Sequence, residues 1–150
     1  MATAAGAGFS PVAPGTAGAL VGVVLFFPLA ELGPWLYALA ALGLLSLGVR
    51  AAGEAERCYG RKDDGRIVID EVVGQLLAQL PLTLPGLAAG WLAVVTGFVA
   101  FRVFDVWKPA LARRAEQMGG GAGVMLDDVV AGVLAAPFAA AAAWLAGASA

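Results

Sequence analysis

The sequence predicts an all-α fold, a polytopic bundle of about four or five membrane helices with a re-entrant or bent N-terminal segment. Three observations carry that prediction. The chain is 61% hydrophobic and only 13% charged over 150 residues, with a mean hydropathy of +0.86. A soluble domain is about half apolar and about 25% charged. The apolar residues gather into five stretches with short polar connections. Five carboxylates (Asp70, Glu71, Asp105, Asp127 and Asp128) abut those stretches in a chain without histidine. Residues 1–150 read as one integral-membrane domain. A net charge of -2 gives no electrostatic case for nucleic acid. Cys58 is the single cysteine, so no internal disulfide is possible.

The elements follow in order. Residues 1–16 hold no basic residue to start a secretory signal, so the run from about Ala17 to Ala30 reads as a retained span. Further apolar stretches cover Pro34 to Val49, Val72 to Leu84, Leu87 to Phe101 and Val129 to Ala148. Only the last nears the ~20 residues an upright helix needs, so the others must borrow from polar flanks or lie partly in the interface. Pro28, Pro34 and the Pro81 to Gly86 segment punctuate the helices, the last as a tight turn. Pro137 falls inside the final span, where neighbouring helices tolerate a kink.

Basic residues set an orientation. Arg50, Arg57, Arg61, Lys62 and Arg66 occupy the second polar connection, and Arg102, Lys108, Arg113 and Arg114 the fourth. By the positive-inside rule both are cytoplasmic, and the acidic residues then share that side.

IVIDEVVGQ (Ile67 to Gln75) and VMLDDVVAG (Val124 to Gly132) share an apolar run, an acidic pair, Val-Val and a glycine. Each is expected to put two carboxylates at the N-terminal end of a helix, where the dipole favours negative charge and the glycine lets a neighbour approach. The bland alternative is helix capping. Acidic side chains in a membrane helix cost ~2.5 to 3.5 kcal/mol each at its centre, which favours a use for them. In FRVFDVWKP (Phe101 to Pro109), spacing by three puts Arg102, Asp105 and Lys108 on roughly one face. That is either a structural salt bridge or a phosphate clamp, with arginine supplying a donor fork and lysine a point charge. In GFSPVAPGT (Gly8 to Thr16) two prolines interrupt any helix and leave amides free for an anion, or else form a bent entry to the first span.

Hard oxygen ligands without His or Cys select Mg²⁺, Mn²⁺ or Ca²⁺ over zinc, with Mg²⁺ the default beside substrate phosphate. The chemistry expected is phosphoryl transfer to water activated by the metal. Phosphohistidine chemistry is excluded by composition. A cysteine phosphatase needs arginine six positions after its nucleophile, and six after Cys58 stands Asp64. An aspartyl-phosphate route stays open, although nothing marks one Asp as nucleophile.

These four strings, in this order and spacing, resemble the phosphatidylglycerophosphatase A family over Gly8 to about Ala135. The resemblance implies a bacterial inner-membrane enzyme facing the cytoplasm. Its reaction is the Mg²⁺-dependent removal of the terminal phosphate of phosphatidylglycerophosphate, a phospholipid, to leave phosphatidylglycerol. It points to Asp70, Glu71, Asp105, Asp127 and Asp128 as catalytic without dividing metal ligands from base; Asp70, Glu71, Asp127 and Asp128 are expected to form the metal site because two like-charged pairs at adjacent helix starts would repel without a cation. Arg102 and Lys108, with Thr16 and Ser10, are the phosphate contacts it implies. Asp64 stands where the family commonly has proline, and the lead before SPVAPGT is short.

Two other classes also gather intramembrane carboxylates. A CDP-alcohol phosphotransferase spreads Asp and Gly over a longer spacing than DEVVG or DDVVAG. A proton-coupled transporter sets its carboxylates nearer the midplane.

Overall fold

The computed structural model describes residues 1–61, 64–87 and 89–148; Lys62 of the basic set lies outside them. Among the described residues the structure is helical throughout, without a strand: α1 (Pro14–Ala30), α2 (Pro34–Tyr59), α3 (Ile69–Gln79), α4 (Trp91–Trp107), α5 (Ala110–Glu116) and α6 (Gly120–Ala148). Short 3-10 segments cover Ala4–Phe9 and Leu80–Thr83.

The N-terminal segment is bent, as expected. Ala13 takes a left-handed conformation (φ 47°), and Pro14 then opens α1 at a position where a missing N–H costs nothing. Ahead of that bend the chain lies on the approach to α3. The Ala2 carbonyl accepts the Val68 and Ile69 amides at 2.9 and 3.1 Å. A Cβ on Gly8 would come within 2.0 Å of the Arg66 carbonyl oxygen.

Several helices depart from their expected bounds. α1 continues through Pro28 to Ala30. α2 runs ten residues past Val49 and stops at Gly60, whose left-handed φ of 65° closes the last turn onto Glu56. Arg50 and Arg57 are therefore helical residues, because Ala51, Ala52 and Ala55 sustain the helix between the charges. α6 starts at Gly120 rather than near Val129, since the small and apolar run before Asp127 continues the same helix.

α6 is the hub, packing on α2, α3, α4 and α5, and α3 lies between α1 and α6. The buried Tyr37 hydroxyl of α2 donates to the Leu76 carbonyl of α3 at 2.8 Å. The polarity is inverted relative to a water-soluble protein. Gln75, Gln79, Asp70, Asp127 and Asp128 are buried, while Trp35, Trp91, Trp107 and Trp144 stand exposed among Leu and Val. α2 and α6, at 26 and 29 residues, have the length and composition to cross a membrane. At 1.5 Å per residue they reach ~39 and ~44 Å, against a hydrocarbon core of ~30 Å. α1 is apolar but shorter, at 17 residues.

Candidate active site

The site is built on one helix crossing. A Cβ on Gly132 of α6 would lie 2.3 Å from the Gly74 carbonyl oxygen of α3, and one on Gly74 would lie 2.7 Å from the Asp128 carbonyl oxygen. The glycines of the two repeated strings are thus the contact itself, with backbone against backbone. Four residues before each glycine, on the same face, stand Asp70 and Asp128. The crossing therefore drives those two carboxylates together.

Glu71 completes the group. Asp70, Glu71 and Asp128 each offer an oxygen within 4.8 Å of the others. Asp70 and Asp128 are 7% and 3% exposed. Asp70 Oδ1, Glu71 Oε2 and Asp128 Oδ2 are buried with no hydrogen-bond partner among the described residues. Buried carboxylates at this separation repel and lack solvation, so a cation between them relieves both costs. An all-oxygen donor set with orphaned carboxylate atoms fits Mg²⁺.

Three walls close around the group. Gly15, in the first turn of α1, lies against it: a Cβ there would meet Glu71 Oε1 at 2.3 Å and Arg102 Nη1 at 3.3 Å. Gly18 and Gly22 continue that stripe against Val68 and Gln75, so α1 fits closely along α3. From α4, the Arg102 guanidinium pairs with Asp105, whose carboxylate neighbours both Glu71 and Asp128. Lys108 leaves α4 in a left-handed conformation (φ 45°), and its Nζ reaches Asp127 Oδ2 at 2.8 Å. Asp127 Oδ1 accepts the Asp128 amide at 3.1 Å.

Two local expectations change here. Asp70 and Glu71 occupy the first turn of α3, where the dipole favours them. Asp127 and Asp128 are the eighth and ninth residues of α6, more than two turns in, so the dipole does not account for them. Likewise Lys108 does not continue the α4 face of Arg102 and Asp105, because the helix ends one residue earlier.

Of the four expected metal ligands, Asp70, Glu71 and Asp128 converge, and Asp127 faces Lys108 instead. Thr16 follows the Gly15 contact in α1, whereas Ser10 donates to the Val12 carbonyl at 2.8 Å within the N-terminal bend. Sequence reasoning passed over Gln75 and Gln79. Both are fully buried, and neither amide has a partner among the described residues. They continue the Glu71 row at intervals of four, and that spacing was the available signal.

The profile of a family described as phosphatidylglycerophosphatase A matches residues 1–143. A Bacteroides thetaiotaomicron protein provisionally named a phosphatidylinositol-3-phosphatase is 41% identical, covering 97% of this chain and 92% of its own length. The phosphatidylglycerophosphatase A of Escherichia coli is 36% identical over 91% of this chain and 77% of its own. The Haemophilus influenzae protein of that name is 33% identical over 90% and 82%. No solved structure matches the chain. The phosphotransferase and transporter alternatives gain no support from these relatives.

Proposed function

The chain belongs to the phosphatidylglycerophosphatase A family, and from that premise we propose that it hydrolyses the terminal phosphomonoester of phosphatidylglycerophosphate. The products are phosphatidylglycerol and phosphate, and the reaction depends on Mg²⁺. The observation that carries the reading is the convergence of Asp70, Glu71 and Asp128, with orphaned oxygens, beside Arg102 and Lys108.

Asp70, Glu71 and Asp128 would hold the ion, which when bound supplies charge neutralisation at the phosphoryl group and a more acidic water. Arg102 presents its fork to phosphoryl oxygens and Lys108 its point charge. Asp105 and Asp127 hold these two cations at the rim and orient them before substrate arrives. The close packing of α1 on Glu71 keeps bulk water from the buried side of the group.

The same reading places the protein in the bacterial inner membrane with several spans and its site at the cytoplasmic leaflet. Arg66 just before α3, Lys108 just after α4, and Arg113 and Arg114 in α5 lie in the connections next to the carboxylate-bearing helix segments, which supports that orientation. With Cys58 replaced, Gly65→Cys and Gln117→Cys should be shielded from impermeant reagent in intact cells and Pro85→Cys labelled. The reverse pattern overturns the orientation.

The activity is tested by phosphate release from phosphatidylglycerophosphate in detergent, with EDTA and with Mg²⁺ restored. Release that EDTA abolishes and Mg²⁺ restores is expected. No release with Mg²⁺ overturns the reading, and faster release from phosphatidylinositol 3-phosphate reassigns the head group.

A further inference from the structure

The outward face of α4 carries two adjoining grooves of about 410 and 630 Å³ that share Val99 and Val103 and together make up the α4 track. Its upper end is lined by Val106, Trp107 and Arg102, the last the only charged residue among the lining residues of either groove. Its lower end reaches Val95 and Thr96. Phe104 and Phe138, with ring centroids 5.7 Å apart, wall the track where α4 meets α6.

The dimensions select an occupant. Val95 to Val106 is ~16 Å of helix at 1.5 Å per residue, about half of a ~30 Å hydrocarbon core. The track is therefore one leaflet deep. Arg102, whose guanidinium borders the carboxylate group, lines its upper part, and below Arg102 the lining is apolar but for Thr96. A phosphate at Arg102 joined to a hydrocarbon chain below it matches that distribution of charge and grease.

We propose that the α4 track is the acyl-chain subsite of the lipid substrate, seating one fatty chain along Val95, Val99 and Val103 while the head group meets Arg102. This rests on the lipid-phosphatase reading given above. The groove then does more than face solvent lipid: it sets the height and angle at which the phosphomonoester reaches Asp70, Glu71 and Asp128. Val99 and Phe138 become determinants of chain selectivity, though neither touches the reacting atoms.

Photo-cross-linking of the intact wild-type protein tests this without a variant. A phosphatidylglycerophosphate analogue with a mid-chain diazirine should label α4 between Val95 and Val106, or Phe138. Excess unlabelled phosphatidylglycerophosphate should reduce that labelling several-fold. A phosphatidylcholine carrying the same diazirine should label the exposed α2 face at Leu36 and Leu39 equally well and resist competition. Substrate-probe labelling spread over α2, or insensitive to competition, overturns the proposal and leaves α4 as ordinary lipid-facing or partner-facing surface. As a second readout, Val99→Trp should raise KM for long-chain substrate several-fold more than for a short-chain soluble analogue. Equal effects on both substrates also overturn it. Phosphate release in the same preparation keeps the two readings apart: competed labelling without release would sink the phosphatase reading and spare the subsite.

Discussion

Two acidic pairs of nearly the same sequence meet different fates in this molecule. Asp70 and Glu71 both enter the carboxylate group, whereas Asp127 and Asp128 divide, one joining it and the other taking Lys108. The difference is set by register against the glycine contact. Asp70 stands four residues before Gly74 and Asp128 four before Gly132, so each lies directly above the point where the backbones touch. Asp127 is rotated by one residue, about 100° of helix, and meets α4's end instead. Glu71 is rotated in the same sense as Val129, but its longer side chain lies where α1 presents Gly15 and leaves room for it.

The strongest way to break the comparison is to neutralise the carboxylates singly. Asp70→Asn, Glu71→Gln and Asp128→Asn should each reduce phosphate release by about 100-fold or more, the scale seen when one group facing transition-state charge is lost. In EDTA, Asp128→Asn should melt higher than wild type because a buried repulsion is gone, and Mg²⁺ should no longer raise its Tm. Asp127→Asn should lower activity by about 10-fold through Lys108 while leaving the Mg²⁺ activation constant unchanged. An Asp127→Asn enzyme with a shifted Mg²⁺ requirement would erase the distinction between the two aspartates.

The crossing itself can be attacked next. Gly132→Ala drives a methyl into the Gly74 carbonyl and should cost about 1 to 3 kcal/mol, with activity falling further because Asp70 and Asp128 separate. Gly43→Ala, with nothing within 4 Å of the added carbon, is the control and should melt at or slightly above the wild-type temperature. Equal melting temperatures for the two variants would mean the contact does not position the pair.

At the rim, Arg102→Lys should weaken transition-state binding by about 1.5 to 3 kcal/mol, since a point charge cannot replace a donor fork. Full activity in that variant, measured as kcat/KM, would reduce Arg102 to a partner for Asp105.

The smallest effect lies outside the site. The Arg66 guanidinium donates twice to Asp64, at 2.7 and 2.9 Å, and the Arg66 backbone amide once, at 3.1 Å, and these bonds hold the carboxyl down to about 2. A depressed folded-state value means the clamp is fully present above the ordinary ~3.9 and is lost as pH falls towards 2. Asp64→Asn should therefore lower Tm by a degree or so at neutral pH and flatten the decline between about pH 4 and 2. An unchanged acid limb would show the clamp to be idle.

The helical class, the close approach at the glycines and the candidacy of Asp70, Glu71, Asp128 and Arg102 were legible in the sequence, because each follows from composition or from short spacing. What it hid depends on rotation and on where helices end. The start of α6 at Gly120 was obscured by an acidic pair that suits a helix start, and the left-handed turn at Lys108 by a spacing that suits a continuing helix. Gln75 and Gln79 were missed since isolated glutamines in a greasy run look like surface positions until α1 and α4 bring Gly22 and Gly97 against them. The divided fate of Asp127 and Asp128 was readable in principle from the Asp-to-Gly interval, which fits only one of them.

The buried polar row on α3 has a consequence for the order in which the protein is made. Asp70, Glu71, Gln75 and Gln79 crowd a helix of 11 residues, ~16 Å long, which is too short and too polar to settle in hydrocarbon unaided. Its shelter is supplied chiefly by α6, the last of the described helices to leave the ribosome. Until some seventy further residues are translated, the nascent chain carries an unsheltered polar segment and no assembled carboxylate group. A chain stopped before Gly120 should thus be a substrate for membrane quality control rather than a weak enzyme. Translation of α6 and assembly of the carboxylate group become one event.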